Sequence, residues 1–231
     1  MFLSRRSTQA EYSDSPALPI ETVAQNYADL GKINRLFAFA EPFQRPMVNW
    51  LGQDKVQDLE LLDLGAGDGS LGCTLESWAR KKGWNWKVTS LDLNRNALRL
   101  NPDGRNVIGS VLALPFPDES FDVIIASQMT HHLDTDQDVT LHFAEAWRVA
   151  RTGLFLTDLH RNPALMAMVW LSCLLRGLSA EMRGDGVISI KRGWRIHEWK
   201  RLAWQAGISN SKAWLYFGSR IILQAKKPSH S

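Results

Sequence analysis

Leu61-Leu62-Asp63-Leu64-Gly65-Ala66-Gly67-Asp68-Gly69-Ser70-Leu71-Gly72 is the stretch that decides the fold. An apolar run ends in alternating glycines, and a helix-like segment follows. Such a run specifies a buried strand that turns sharply, bares its backbone to a ligand and enters a helix. Outward from it, strand-like and helix-like segments alternate, which predicts an α/β parallel sheet. Strands are expected over residues 59–64, 87–93, 106–111, 121–127 and 153–158. Helices are expected over 71–82, 94–100, 136–150, 164–175 and 196–205. The tail breaks the alternation: residues 211–217 and 220–226 are both strand-like and only Gly218-Ser219 lies between them, so they should pair as an antiparallel hairpin. The total is a seven-stranded, mainly parallel sheet with helices on both faces.

At 231 residues the chain suits one domain with short additions, and 45% apolar residues can fill a sizeable core. Net charge is only +3 and the charges are mixed, so the basic patch of a nucleic-acid binder is absent. Cys73 and Cys173 stand a hundred residues apart in apolar contexts; they read as two buried thiols, and no metal-ligand spacing is present. Ser4-Arg5-Arg6 is followed by no apolar stretch, which argues against a signal peptide. Residues 163–175 form the most apolar window, shorter than the ~20 residues a membrane span needs. We therefore expect a cytoplasmic protein with no integral membrane segment, and oligomeric state stays open, a homodimer included. Residues 1–19, with Pro16 and Pro19, are expected as a flexible N-terminal arm. Residues 20–51, two helical patterns broken at Pro42 and Pro46, are expected as a helical lid or substrate layer, and 52–231 as the ligand-binding domain.

The glycines admit two ligands. Gly67-x-Gly69-x-x-Gly72 fits the dinucleotide fingerprint, and Gly65-x-Gly67-x-Gly69 after Asp63 fits the S-adenosylmethionine loop. A pyrophosphate here would sit between Asp63 and Asp68, where unit charges 4 Å apart repel by about 4 kcal/mol at moderate effective dielectric. S-adenosylmethionine instead carries an ammonium and a sulfonium, which the same carboxylates attract, and free loop N–H groups can receive its carboxylate. Asp92 ends the second strand, 23 residues after Gly69, where a carboxylate can take both ribose hydroxyls. That feature fits either ligand.

Residues 61–69, Leu91-Asp92-Leu93, Leu114-Pro115-Phe116-Pro117-Asp118-Glu119-Ser120-Phe121-Asp122 and His131-His132-Leu133 together resemble the class I S-adenosylmethionine-dependent methyltransferases. The small-molecule branch related to ubiquinone and menaquinone biosynthesis is the nearest likeness, and it covers roughly residues 59–153. The resemblance implies a Rossmann-like fold with S-adenosyl-L-methionine as cofactor. It implies that Asp63 closes the methionine end and that Gly65, Ala66 and Gly67 form the floor. It also implies that Asp92 takes the ribose, that Leu93 packs on the adenine and that Ser127 lies beside the cofactor. Ser110-Val111 stands where the family usually places an acid for the adenine amino group, and this is a departure.

Methyl transfer from a sulfonium is an in-line displacement, so orientation can carry most of the rate and a base is needed only for a protonated nucleophile. His131 and His132 follow the fourth strand and His160 the fifth, on the ligand-binding edge of such a sheet. Asp158 could orient His131 or His132 as a His–Asp pair; the plainer alternative is that these residues only hold their loop. Tyr27, Ile33, Leu36, Phe37, Phe39, Met129, Met166, Met168 and Trp170 are candidates for an apolar pocket suited to a hydrophobic aromatic, polyketide-like or quinone-like acceptor methylated at oxygen or carbon. An NAD-dependent oxidoreductase, a nucleic-acid or protein methyltransferase and a non-catalytic cofactor-binding homologue remain as alternatives.

Overall fold

The computed structural model describes residues 3–15 and 17–228; Pro16, counted above toward the arm, lies outside them. Among the described residues, eight α-helices and seven strands follow in the order α1 (Ile20–Leu36), α2 (Glu41–Leu51), β1 (Asp58–Leu64), α3 (Ser70–Arg80), β2 (Asn85–Asp92), α4 (Arg95–Leu98), β3 (Arg105–Ile108), β4 (Phe121–Ser127), α5 (Asp136–Val149), β5 (Ala150–Leu159), α6 (Pro163–Leu175), α7 (Ala180–Arg192), α8 (Ile196–Gln205), β6 (Lys212–Tyr216) and β7 (Arg220–Lys226). The strands form one sheet in the order β3-β2-β1-β4-β5-β7-β6. β7 pairs antiparallel with β5 and with β6; every other pairing is parallel. The expected seven-stranded sheet with its terminal hairpin is the sheet found.

Alternate residues of the strands feed two cores. Leu62, Leu64, Ile124, Leu154 and Leu156 pack with Phe143 of α5 and Trp199 and Leu202 of α8. Leu61, Val123, Ile125, Phe155 and Ile222 pack on the other face with Phe43 and Met47 of α2 and Leu75 of α3. Central strands covered on both faces read as continuous apolar runs, which is why 123–126 was legible as a strand.

Four differences from the sequence reading have physical causes. The prolines do not break the second helix: Pro42 sits in its first turn, where no N–H is needed, and Pro46 lies inside it. The break falls at residues 37–40 instead, where Ala38 takes a positive φ of 46°. Within the layer expected at 20–51, α2 is part of the sheet core, while α1 stands over the ligand edge. α7 was not foreseen; Gly184 and Gly186 dilute its helical pattern, although Ser179 caps it by accepting from the Met182 N–H and Gly193 ends it. Finally, Cys73 is exposed and only Cys173 is buried.

Candidate active site

The loop after β1 is built by left-handed glycines, Gly65 at φ 67°, Gly67 at 57° and Gly69 at 70°. Space demands glycine as well: a Cβ on Gly65 would stand 2.0 Å from Met129 Cγ, and one on Gly67 2.6 Å from the Tyr27 ring. Gly65 and Ala66 donate their N–H groups to the Leu91 carbonyl, tying the loop to β2. Asp92, at the end of β2, accepts from the Gly67 N–H at 2.8 Å through one oxygen and from the Asn94 N–H at 2.7 Å through the other. A carboxylate has about four acceptor sites, so roughly two stay available for ligand hydroxyls. Leu93 beside it is 69% exposed, an apolar platform without a protein partner for most of its surface.

Asp63 is 1% exposed, and its Oδ2 has no hydrogen-bond partner. Burial pushes its carboxyl well above the usual range, and Asp92 and Asp68 push it further. Three carboxylates thus converge on the loop without a basic side chain holding Asp63, an arrangement complementary to a cationic ligand. Burial, together with Asp92, Asp68 and Asp14, also raises the Tyr27 phenol.

This loop opens into a cavity of about 580 Å³ at the carboxyl edge of the sheet. Asp63, Gly65, Ala66, Gly67, Asp92, Leu93, Val111 and Ser127 line it. Ser110 does not; its Oγ accepts from the Leu112 N–H at 3.1 Å and serves the turn. Tyr27, Ile33, Phe37, Phe39 and Met129 of the foreseen apolar pocket line the cavity. Met168 and Trp170 instead stand 47% and 45% exposed, Leu36 is exposed too, and Met166 is not on the wall. α6 turns Leu165, Val169 and Cys173 inward in their place, and α7 adds Met182. Because α6 is apolar around its whole circumference, periodicity could not tell which face points inward.

His131 and His132 line the far end, their rings 4.2 Å apart. His131 Nδ1 contacts Asp158 Oδ1 at 2.7 Å, and the same carboxylate accepts from the His131 backbone N–H at 2.7 Å. Asp158 is fully buried and reaches the cavity only through this ring. His131 Nε2 faces Glu11 Oε1 at 3.5 Å. Burial alone would lower the His131 pKa; Asp158 and then Glu11 outweigh it and push it up to about 10. His132 Nδ1 contacts Asp14 Oδ2 at 3.1 Å. His160 is not on the cavity wall.

Glu11 and Asp14 come from the segment expected to be a flexible arm, which is seated as a strap across this end. Leu3 is buried, and its carbonyl accepts from Arg161 and Arg195. Arg6 lies over the Trp194 ring and donates to the Leu133 carbonyl at 2.8 Å. Asp185 of α7 accepts the N–H groups of Tyr12 and Ser13 at 2.7 and 2.9 Å. Arg192, 3% exposed, donates to the carbonyls of Gln9, His131 and His132 and so joins strap to histidine loop. Sequence reading missed Glu11, Asp14, Asp185 and Arg192. The capping serine of α7 was the one local signal; nothing local ties residue 11 to residue 131.

Residues 62–157 match a model of the methyltransferase domain. A demethylmenaquinone methyltransferase of Roseiflexus sp. (strain RS-1) is 33% identical over 118 residues, 47% of this chain and 47% of that protein, so the chain matches about half the length of this curated relative. A structure from Methanococcus maripaludis, provisionally described as an S-adenosyl-L-methionine-dependent methyltransferase, superposes with a TM-score of 0.63 at 18% identity and covers 96% of this chain and 99% of its own. A SAM-dependent methyltransferase from Aquifex aeolicus gives 0.60 at 16% identity over 90% of this chain and 98% of its own. At such identities the structures speak for the fold, and the family match speaks for the domain that carries the glycine loop. Over residues 62–157 the chain is therefore similar to the methyltransferase domain, and its fold is that of the S-adenosylmethionine-dependent methyltransferases.

Proposed function

We propose that this chain transfers a methyl group from S-adenosyl-L-methionine to an oxygen or carbon of a small hydrophobic acceptor of aromatic, polyketide-like or quinone-like type. The observation that carries the reading is one cavity with two unlike ends. At one end the loop of Gly65–Gly67, the unpartnered Asp63 and the two-oxygen acceptor Asp92 match an ammonium, a sulfonium and a ribose. At the other, an apolar wall leads to a polar pole of Glu11, His131 and His132. The Roseiflexus relative supports a quinone-like acceptor.

S-adenosylmethionine supplies a methyl group already activated on a positive sulfur. The residues of the chain have three tasks. Asp63 and Asp92 hold the cation and the ribose. Phe37, Phe39, Leu165, Val169 and Met182 desolvate and orient a flat or long apolar acceptor. The histidine pole meets the reacting oxygen or acidic carbon. Asp158 fixes His131 through Nδ1 and keeps positive charge there, and that charge favours the acceptor as its anion. His132, held by Asp14, is the more exposed ring and takes the departing proton.

Isothermal titration should show binding of S-adenosylhomocysteine and none of NAD. A labelled methyl donor should then mark phenolic or quinol-type acceptors, with transfer reduced in His132→Ala. Tight NAD binding with no S-adenosylhomocysteine binding would overturn the reading. Binding without transfer to any acceptor class would leave a cofactor-binding homologue.

A further inference from the structure

We propose that Glu11, His131 and His132 form a binding site for one first-row divalent transition-metal cation, whose open positions take the acceptor's oxygen. The inference deepens the reading of this cavity and rests on it for the acceptor alone. One ring nitrogen of each histidine and one Glu11 carboxylate oxygen lie within 4.8 Å of one another, and two of the three residues are buried. His131 Nε2 and Glu11 Oε1 are 3.5 Å apart. That is long for an imidazolium–carboxylate hydrogen bond, which closes to about 2.7–2.9 Å. Two ligands each ~2.1 Å from a tetrahedral cation stand about 3.4 Å apart, so the gap is the size a bound metal sets.

A second, independent feature is the support behind the rings. Each histidine is gripped at Nδ1 by its own carboxylate, His131 by Asp158 at 2.7 Å and His132 by Asp14 at 3.1 Å. This leaves the Nε2 atoms for coordination, and a carboxylate behind a ligating imidazole is what fixes its tautomer and raises its basicity. Ser189 donates to Glu11 Oε1 at 2.8 Å and fixes the third ligand in the same way. Two imidazoles and one carboxylate favour zinc, iron, cobalt or manganese over magnesium or calcium. All three ligands line the cavity, so an acceptor phenol or enol can complete the coordination shell. With the cation bound, the Nε2 protons have left to solvent and the metal supplies the positive charge that the rings carry without it. The acceptor's O–H proton then leaves to solvent rather than to His132 as the metal–oxygen contact forms, and the resulting anion is the nucleophile. No spacing rule could find this set, because residue 11 and residues 131–132 meet only through the strap.

The test uses the full-length protein stripped with EDTA and titrated with Co²⁺ alone, read by visible d–d absorption, and then with Zn²⁺ as competitor. We expect one cobalt per chain, displaced by zinc. Glu11→Gln and His132→Ala should each weaken binding by more than about 100-fold, and Asp14→Asn by about 10-fold, the usual effect of losing support behind a ligand. Circular dichroism verifies each fold, and the half-exposed His132 provides a variant that the core tolerates. Absence of a stoichiometric cobalt spectrum overturns the site, as does cobalt affinity unchanged in His132→Ala. S-adenosylhomocysteine titrated into the stripped protein separates the two ideas: its failure to bind sinks methyl transfer and leaves the cobalt result standing.

Discussion

The two ends of the cavity are built on opposite principles. The end proposed for the cofactor comes from two short contiguous segments, 63–69 and 92–94, and its charges are unbalanced: Asp63 is buried with an unpartnered oxygen. The end proposed for the acceptor is assembled from the strap, the loops after β4 and β5, and α7, and its charges are matched nearly one for one. His131 stands between Asp158 and Glu11, His132 on Asp14, and Arg192 on Asp134 and three carbonyls. An end that waits for a cationic ligand can leave carboxylates open. An end that must hold four separate segments together needs every buried charge satisfied.

The contrast can be broken most forcefully at Arg192. Arg192→Met strips the donor from the carbonyls of Gln9, His131 and His132 and should cost about 3 kcal/mol of stability by chemical denaturation. S-adenosylhomocysteine affinity should change less than about twofold, since the cofactor end shares none of these bonds. A large loss of affinity would show that the two ends are coupled. Asp92→Ala is the counterpart at the other end. It removes two loop hydrogen bonds and the proposed ribose acceptor, and titration should show affinity about 100-fold weaker, near 2.7 kcal/mol. Unchanged affinity would refute the ribose assignment.

Asp63→Asn sharpens the electrostatic half of the comparison. The folded Asp63 carboxyl keeps its proton to a higher pH than the unfolded one, near ~3.9. The ligand-free fold therefore loses stability as pH rises from about 4 through the raised value. The asparagine variant should lack that slope, melt higher than wild type at neutral pH without ligand, and bind S-adenosylhomocysteine about 10-fold more weakly. A lower melting temperature would mean that Asp63 has a structural partner in the fold. The smallest effect is expected on α6: Trp170→Ser, on its outer face, should change stability by less than about 0.5 kcal/mol, whereas Leu165→Ala, at 4% exposure on the cavity side, should cost about 2 kcal/mol or more.

Legibility followed the same division. Residues 121–127 and 220–226 were readable as strands to the residue, because their apolar runs are flanked by turn chemistry. The glycines of the β1 loop were readable because only glycine tolerates their φ and the approach of Met129 and Tyr27. Asn94 was readable as a cap, and it accepts from the N–H groups of Asn96 and Ala97. Ser110 is the cofactor-site candidate that does not line the cavity: its hydroxyl accepts from the Leu112 N–H of the next turn. The inner face of α6 was unreadable because its sequence is apolar on every side.

By itself the sequence determined the sheet, its reversed hairpin and the glycine-loop half of the cavity that we propose for the cofactor, because those follow from backbone geometry and from interactions between residues close along the chain. Only the tertiary structure decided the acceptor half. Glu11 meets His131 as a buried ion pair, and Arg192 donates to the Gln9 carbonyl, across more than a hundred residues, and neither contact leaves a periodic trace in the chain.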